Sequence, residues 1–499
     1  MKRPAWALAG GIALLWASIL LVSSLLDLGD AEALYAVYAQ HPQSSYLDHP
    51  PLIGLLLRVP ITLFGAGTVS VRLVPMLCAA LCLILAFLIT RDLFGHSAAA
   101  LCVGLMIASP VFSIGMTAAS PDAPLAVLTL LFVRLFYRSL NPENDGTVKR
   151  QLFPLLSGIV LGFAFLAKYT GACLALGAVI VLLLPENRRH LRRPILYLAA
   201  TVALAIASPV LWWNAHHDWI GVTHRLVYTQ TEAGFSLRNL GALLGGQLLY
   251  VGPLVLVLFA VAIRRALTRR DRTSPRARAE RLLMILSASV LAPAYLLVLW
   301  SKTAEPHWPA AGYLPLFPLT AFAIAELIRE GGTRIKGLYR WAVGVGVAVL
   351  VIAHIAVLTP VVPLLTPAGD YEPKYDLSNE LRGFPAVAAT IRRIDSQQRP
   401  VTAAFYTLCS QLAFHLSRPD DPRVRCVSPA LDDFDLWYGP FTLDERGALF
   451  VTDNRFDHDP KALFPDGTVT DINIVPIFRA GIEVRRFSIY TVQLKTAGE

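Results

Sequence analysis

Residues 27–60 read DLGDAEALYAVYAQHPQSSYLDHPPLIGLLLRVP and form a polar stretch in a chain that is otherwise mostly apolar. The stretch brings carboxylates, imidazoles and tyrosines close together in sequence: Asp27, Asp30, Glu32, Asp48, His41, His49, Tyr35, Tyr38 and Tyr46. One apolar segment of membrane-spanning length ends just before it, and another begins soon after it. The stretch is therefore predicted to be a loop between two membrane spans.

The composition of the whole chain supports this reading. Its 499 residues are 55% hydrophobic and 16% charged, and the mean hydropathy is +0.54. Soluble globular proteins carry about 25% charged residues, so the deficit indicates a polytopic α-helical membrane protein. We expect about eleven spans, at residues 5–26, 73–93, 98–118, 123–137, 152–168, 171–185, 195–213, 240–263, 282–300, 309–328 and 341–363.

The positive charge of the chain, a net +9, is concentrated in short connections between the apolar segments. These connections are residues 91–97, 138–151, 186–194, 264–281 and 329–340. If the N-terminus is cytoplasmic, all of them fall on the cytoplasmic side, as the positive-inside rule requires. The pattern predicts a multi-pass membrane protein with a cytoplasmic N-terminus and with membrane lipid as a partner. It gives no support for a nucleic-acid partner.

The opposite side receives loops that are rich in acids, histidines and tryptophans. These loops are residues 27–72, 119–122, 169–170, 214–239 and 301–308. A transporter is expected to place ionisable groups within its spans, whereas the predicted spans here are nearly free of charge. The pattern therefore favours chemistry at the extracytoplasmic surface.

The C-terminal region differs in composition from the rest. We predict a membrane domain over residues 1–366, with a first outer loop at 27–72, and a small periplasmic α/β domain over 367–499. Strands are predicted at 401–407, 447–453, 469–478 and 484–494, and helices at 379–396 and 409–417. Cys409 and Cys426 lie in this region, and an extracytoplasmic location leaves open whether they form a disulfide or remain thiols.

Two segments of the first outer loop carry groups suited to catalysis. In GDAEALYAVYAQ (29–40), Asp30 and Glu32 begin a predicted helix, where they are either an acidic helix start or a general base. In YLDHPPLIGLLLR (46–58), Asp48 and His49 precede a diproline turn. They contact a metal or a phosphate, or the segment is simply a capped interfacial helix.

Further polar side chains lie at the ends of the predicted spans. Each has a structural alternative, such as helix capping, snorkelling or interface anchoring. A cation at an outer span end departs from the positive-inside pattern, which favours phosphate binding. The candidates are Arg58, Asp122, Lys168, Tyr169, His216, His217, His224, Glu305 and His307. No Walker or Rossmann fingerprint supports nucleotide binding.

These segments resemble the bacterial GT-C glycosyltransferases of the dolichyl-phosphate-mannose-protein mannosyltransferase superfamily, in the branch of the aminoarabinose transferases. The similarity is carried by the two segments above and by SPDAPL (120–125), GFAFLAKYTG (162–171), WNAHHDWI (213–220) and EPHWPAAGYLPL (305–316). It implies a polyprenyl-phosphate sugar donor, transfer on the periplasmic face and an envelope lipid, glycan or protein acceptor. It also implies a divalent metal in some members and no other cofactor.

The resemblance also implies roles for individual residues. Asp30 and Glu32 are the catalytic candidates, although Ala31 occupies the position of the Asp in the family's Asp-Glu pair. Asp48 and His224 are candidates for binding a metal. Contacts to the donor phosphate or the substrate are implied for His49, Arg58, Asp122, Lys168, Tyr169, Glu305 and His307. The alternatives are a transporter or flippase for lipid-linked sugars and a catalytically inactive scaffold protein of the same fold.

Overall fold

A computed structural model describes residues 3–141, 147–226, 234–301, 305–367, 370–416, 423–455 and 457–495. The chain forms two compact units, each discontinuous in sequence. Unit 1 comprises Met1–Ile19, Ser44–Ile53 and Val74–Val351. Unit 2 comprises Leu20–Gln43, Gly54–Leu73 and Ile352–Glu499, so parts of the first outer loop belong with the C-terminal region.

The part of the chain before residue 366 is helical. Helices α1 to α9 are Arg3–Leu25, Asp30–Gln40, Leu52–Phe64, Thr68–Phe94, His96–Ala108, Pro110–Ser113, Asp122–Leu140, Thr147–Ala167 and Ala172–Leu183. Helices α10 to α18 are Pro194–His216, Ile220–Leu226, Leu237–Tyr250, Pro253–Thr268, Pro275–Val298, Ala310–Tyr313, Leu316–Arg329, Thr333–Leu358 and Val361–Leu365.

All eleven predicted spans are helical, but they are not equivalent. Within the described residues, seven helices are long and apolar enough to cross a membrane, or nine if two bent helix pairs each count as one span. The two remaining segments, predicted at 152–168 and 171–185, correspond to the shorter apolar stretches Gln151–Ala167 and Tyr169–Leu183. The chain is thus a multi-pass membrane protein, with seven to nine spans among the described residues by this measure.

The predicted span 240–263 is bent, because it is interrupted where α12 meets α13. The two helices meet at an angle of 101°. Gly252 lies at the break with a φ of +96°, a backbone conformation that glycine adopts without steric cost. The predicted span 98–118 is broken in a similar way, with a 78° bend before Pro110.

Close helix packing in unit 1 depends on glycine. A Cβ atom at Gly158 on α8 would lie 2.2 Å from the Ala199 carbonyl oxygen on α10. One turn later, a Cβ at Gly162 would lie 2.7 Å from the Ile206 side chain. Small residues at this spacing let two helix backbones approach within the membrane.

The C-terminal region forms a five-stranded mixed sheet. Its strands β1 to β5 are Val401–Ala403, Val424–Cys426, Ala448–Asp453, Gly467–Arg479 and Ile482–Leu494. Their order is β2-β1-β3-β5-β4, in which β1 pairs in parallel with β2 and β3, and β5 pairs antiparallel with β3 and β4. Helices α19 to α22 are Phe384–Ile394, Tyr406–Leu416, Asp433–Tyr438 and Pro460–Leu463.

Helix α2 belongs to the core of this region. Val37 packs in the same buried cluster as Phe384, Val401 and Leu412. The burial of this helix positions Asp30, at its first turn, among side chains of the C-terminal region.

Several predicted boundaries in this region were wrong. The predicted strand 401–407 ends at Ala403, and α20 begins at Tyr406 instead of residue 409. Strand β2 and helix α21 were not predicted, since both are too short to show a clear period. A disulfide joins Cys409 to Cys426, with Cα atoms 5.7 Å apart, and so ties α20 to β2.

Candidate functional site

Glu32, one of the two catalytic candidates, lies in a buried ion pair. Its carboxylate accepts hydrogen bonds from Arg72 Nε at 3.0 Å and Arg72 Nη2 at 2.6 Å. It also accepts the Gly29 backbone N–H at 3.0 Å, which satisfies a free donor at the start of α2. The two side chains are only 4% and 2% exposed. In this structure the Glu32 carboxylate is thus occupied by Arg72 and by the start of α2.

Asp30, the first residue of α2, has a different environment. Its Oδ1 accepts a hydrogen bond from Gln411 Nε2 at 3.3 Å, and its Oδ2 lies 3.8 Å from Arg455 Nη1. Its backbone N–H donates to Glu380 Oε1 at 2.7 Å. These four residues, Asp30, Glu380, Gln411 and Arg455, are called the Asp30 cluster below.

The surroundings of Asp30 suit proton transfer. Burial is the main cause that raises the pKa of Asp30 to about 6, and the nearby charge of Glu380 adds to the shift. Arg485 and Arg455 act in the opposite direction. A carboxyl group with a pKa close to neutral is mostly ionised at pH 7 and still accepts a proton readily.

Sequence reasoning missed the three partners of Asp30. Glu380, Gln411 and Arg455 are 350 or more residues away in the chain and lie in no recognisable motif. Only the burial of α2 against the C-terminal region brings them to Asp30. No local sequence signal points to them.

Other polar groups of unit 2 have structural partners. The Tyr38 hydroxyl donates to buried Asp433 at 2.6 Å. His41 bonds to Tyr438 at 2.9 Å and stacks on Trp437, and burial lowers the pKa of its imidazole. The exposed Arg58 donates from Nη1 to the Ala39 carbonyl oxygen at 3.4 Å.

In unit 1, the structure brings together three segments that are distant in sequence. His224 Nε2 lies 3.6 Å from Asp48 Oδ1. The Ser45 hydroxyl lies 3.4 Å from the Tyr169 hydroxyl. Gly221 of α11 lies close to the other two segments. A Cβ atom there would lie 3.5 Å from both the Leu47 carbonyl oxygen and the Tyr169 hydroxyl. Residues 45–49, Tyr169 and α11 therefore form one group, the Asp48 cluster, and His49 is part of its turn.

Lys168 follows α8 and pairs with Asp122, the first residue of α7. Its ammonium group lies 2.9 Å from each carboxylate oxygen, and the residue is 9% exposed. Lys168 immediately precedes Tyr169 of the Asp48 cluster. The pair either fixes the start of α7 or holds a cation ready for an anionic ligand.

The remaining candidates are not brought into these clusters. His216 and His217 each bond to a tryptophan carbonyl oxygen of α10, at 2.8 Å. Glu305 and His307 lie 3.9 Å apart with largely exposed side chains. Both pairs of residues are therefore weaker candidates for a site than Asp48 and His224.

Asp48 and His224 fit a divalent metal in part. A carboxylate and an imidazole this close are suitable ligands for a divalent transition metal such as zinc. Among the described residues, no group of three or more His, Cys, Asp or Glu side chains is placed to hold an ion. Water or substrate oxygens would have to complete the coordination.

Comparisons with known proteins agree with this architecture. Residues 48–213 match the family described as dolichyl-phosphate-mannose-protein mannosyltransferase. The lipid A galacturonosyltransferase RgtD of Rhizobium johnstonii is 25% identical over 460 residues, which cover 89% of each chain.

Solved structures show the same fold. ArnT from Cupriavidus metallidurans bound to undecaprenyl phosphate superposes with a TM-score of 0.67 at 18% identity, over 97% of each chain. The apo form gives a TM-score of 0.66 at 18% identity over 98% of each chain. Together, the sequence matches and the shared fold support a bacterial glycosyltransferase of the GT-C class.

Proposed function

We propose that the protein transfers a sugar from a polyprenyl-phosphate donor to a hydroxyl group of lipid A or a related envelope lipid. The donor class is suggested by the match to ArnT bound to undecaprenyl phosphate, and the acceptor by the match to a lipid A galacturonosyltransferase. The observation that carries the catalytic proposal is the Asp30 carboxyl, held by Gln411 beside Arg455 and Glu380.

Asp30 acts as the general base in this proposal. Its carboxylate takes the proton of the acceptor hydroxyl while that oxygen bonds to the anomeric carbon of the donor sugar. The bond from the anomeric carbon to the phosphate oxygen breaks, and its electrons leave with the lipid phosphate. Glu32 is not assigned this role, because its carboxylate is occupied by Arg72 and the Gly29 N–H. A phosphate acceptor would need no base.

The resemblance to the family implies further groups that contact the departing phosphate. Lys168 and His49 are proposed to stabilise the negative charge developing on the leaving group. Asp48 and His224 are proposed ligands of a divalent metal, which when bound would supply Lewis-acid stabilisation of that charge. Tyr169, beside Lys168, is proposed to contact the donor.

We further propose that the protein lies in the bacterial inner membrane, with its N-terminus in the cytoplasm and residues 367–499 in the periplasm. The basic connections support this orientation. The Cys409–Cys426 disulfide supports it independently, since such bonds persist in oxidising compartments such as the periplasm.

A reconstituted assay tests the function. The purified protein is incubated with a radiolabelled polyprenyl-phosphate sugar and lipid A, and both lipids are then analysed by mass spectrometry. We expect lipid A to gain one sugar residue as an equal amount of free polyprenyl phosphate appears. A flippase would move the donor across vesicles without releasing lipid phosphate. An inactive scaffold would do neither, and either result would overturn the proposal.

A further inference from the structure

A basic cleft of about 540 Å³ lies in unit 1, away from the Asp48 cluster. It is formed by the end of α13, the connection to α14 and the first turns of α14. Its lining is Glu186, Ala266, Leu267, Arg269, Asp271, Arg272, Thr273, Ala277, Arg278, Arg281 and Met284. Glu186 precedes α10 and His224 follows it, and this 23-residue helix is about 34 Å long. The cleft is therefore distinct from the candidate catalytic groups of this unit.

Two of the four arginines in the lining are neutralised by carboxylates. Arg269 makes two hydrogen bonds to Glu280, at 2.7 and 2.8 Å, and a third to Glu326 at 2.7 Å. Arg281 pairs with Glu186 at 2.5 Å. These pairs hold the walls of the cleft together.

Arg272 and Arg278 are the other two arginines that line the cleft. Within the part of the chain that the structure describes, neither forms an ion pair with a carboxylate. With Arg269 and Arg281 paired, Asp271 is the remaining carboxylate of the lining, so Arg272 and Arg278 leave an excess of one positive charge. The positive charge of the guanidinium groups in the cleft thus exceeds the negative charge of the carboxylates that line it.

The loop that carries Arg272 is fixed by its own hydrogen bonds. Asp271 Oδ1 accepts from the backbone N–H groups of Thr273 at 2.9 Å and Ser274 at 3.2 Å. Arg281 Nη2 donates to the Arg272 carbonyl oxygen at 2.7 Å. The backbone at Arg272 is therefore shaped without any ligand, which lowers the entropic cost of binding one.

We propose that this cleft binds a phosphate ester at Arg272 and Arg278. Guanidinium groups recognise phosphate oxygens through paired, charge-assisted hydrogen bonds. The start of α14 adds the positive end of a helix dipole. Leu267 and Met284 in the lining suit an adjoining apolar portion, so the ligand chemistry is that of an anionic phospholipid headgroup or a free phosphate compound. Membrane topology alone explains basic residues on this side, but it does not require a shaped cleft.

The test uses the full-length protein in a detergent that carries no charge. Its melting temperature is measured with phosphatidylglycerol, phosphatidylcholine or inorganic phosphate added. The variants are Arg272→Gln/Arg278→Gln, the charge-preserving Arg272→Lys/Arg278→Lys, and Arg276→Gln as a control. Arg276 is exposed in the same segment but does not line the cleft.

Anionic ligand binding should raise the melting temperature of the wild type and of Arg276→Gln. The Gln double variant should lose at least half of that rise, and the Lys double variant should keep more of it. A response to phosphatidylglycerol alone identifies the lipid as the source, and a response to inorganic phosphate as well identifies phosphate itself. An equal rise in the Gln double variant, or no anion response in the wild type, would refute the proposal. This test does not depend on transferase activity.

Discussion

Glu32 and Arg72 form a buried ion pair through two hydrogen bonds of 2.6 and 3.0 Å, while Asp30, two residues earlier, remains half-buried beside Arg455. The two acids of the first helical turn are thus separated by environment. Glu32 is held in an ion pair, and Asp30 is the proposed general base. This separation leads to the first two predictions.

Breaking the Glu32–Arg72 pair should destabilise the protein. Arg72→Met leaves the Glu32 carboxylate buried without its cation, and such losses cost about 3–5 kcal/mol. Glu32→Gln/Arg72→Met removes both charges and should recover part of the loss. Thermal unfolding in detergent measures the stability of both variants. If Glu32→Gln abolishes transfer while the melting temperature stays that of the wild type, Glu32 is catalytic and the structural role is wrong.

Asp30→Asn should abolish transfer without destabilising the fold. Loss of a general base lowers the rate by roughly 10²–10⁴-fold. The folded-state pKa of about 6 lies above the ordinary value of 3.8, so the ionised carboxylate at pH 7.5 is unfavourable in the folded protein relative to the unfolded chain. Asn should therefore leave the melting temperature at that pH unchanged or higher.

The pH dependence of transfer by the wild-type protein provides a second test of Asp30. Transfer should rise with pH through about 6, as Asp30 loses its proton. Glu380→Gln removes a negative charge that raises this pKa, so the rising limb should move to lower pH. If the rising limb of the pH profile does not shift in the Glu380→Gln variant, the assignment of Asp30 is contradicted.

Lys168→Gln should weaken use of the donor. A charge-assisted hydrogen bond to phosphate contributes about 1.5–3 kcal/mol, which corresponds to roughly 10–160-fold in kcat/KM for the donor. Asp122→Asn breaks the same ion pair but retains the cation, so it should reduce donor use much less. Steady-state kinetics at varied donor concentration distinguish the two variants. Equal losses of activity and stability in both variants would show that the pair is purely structural.

Chelation tests the proposed metal. Treatment with EDTA should lower transfer, and added divalent ion should restore it. Asp48→Asn and His224→Ala should each reduce the metal bound per protein molecule, as measured by mass spectrometry of the elements. His216→Ala serves as the control, because its ring bonds to the Trp212 carbonyl oxygen instead. Full activity in EDTA would remove metal from the proposal while leaving the Asp30 assignment intact.

Loss of the Cys409–Cys426 disulfide should destabilise the C-terminal region. The two cysteines are 17 residues apart, and closing a loop of this size stabilises by roughly 3 kcal/mol. Cys409→Ala/Cys426→Ala should therefore lower the melting temperature, and reductant should do the same to the wild type. Cys173→Ser, which removes a free thiol, should not. Mass spectrometry without reductant should show the linked peptides in protein isolated from the membrane.

The sequence by itself determined the membrane character of the chain. Apolar segments must lie in lipid whatever their neighbours are, so hydropathy located all eleven helical segments. Hydropathy did not determine which of these helices are bent or interrupted, because the bend at Gly252 and the break at Lys168 depend on local backbone conformation and packing. The α/β character of residues 370–499 was also predictable from composition and alternation.

Only the tertiary structure decided how the two acids of α2 differ. Sequence reasoning placed Asp30 and Glu32 together as alternatives, since both stand in the same helical turn. Their distinction comes from Arg72, 40 residues from Glu32, and from Glu380 and Arg455, at least 350 residues from Asp30. The charge state and accessibility of a carboxylate depend on its burial and on the charges around it, and neither quantity is local in the sequence.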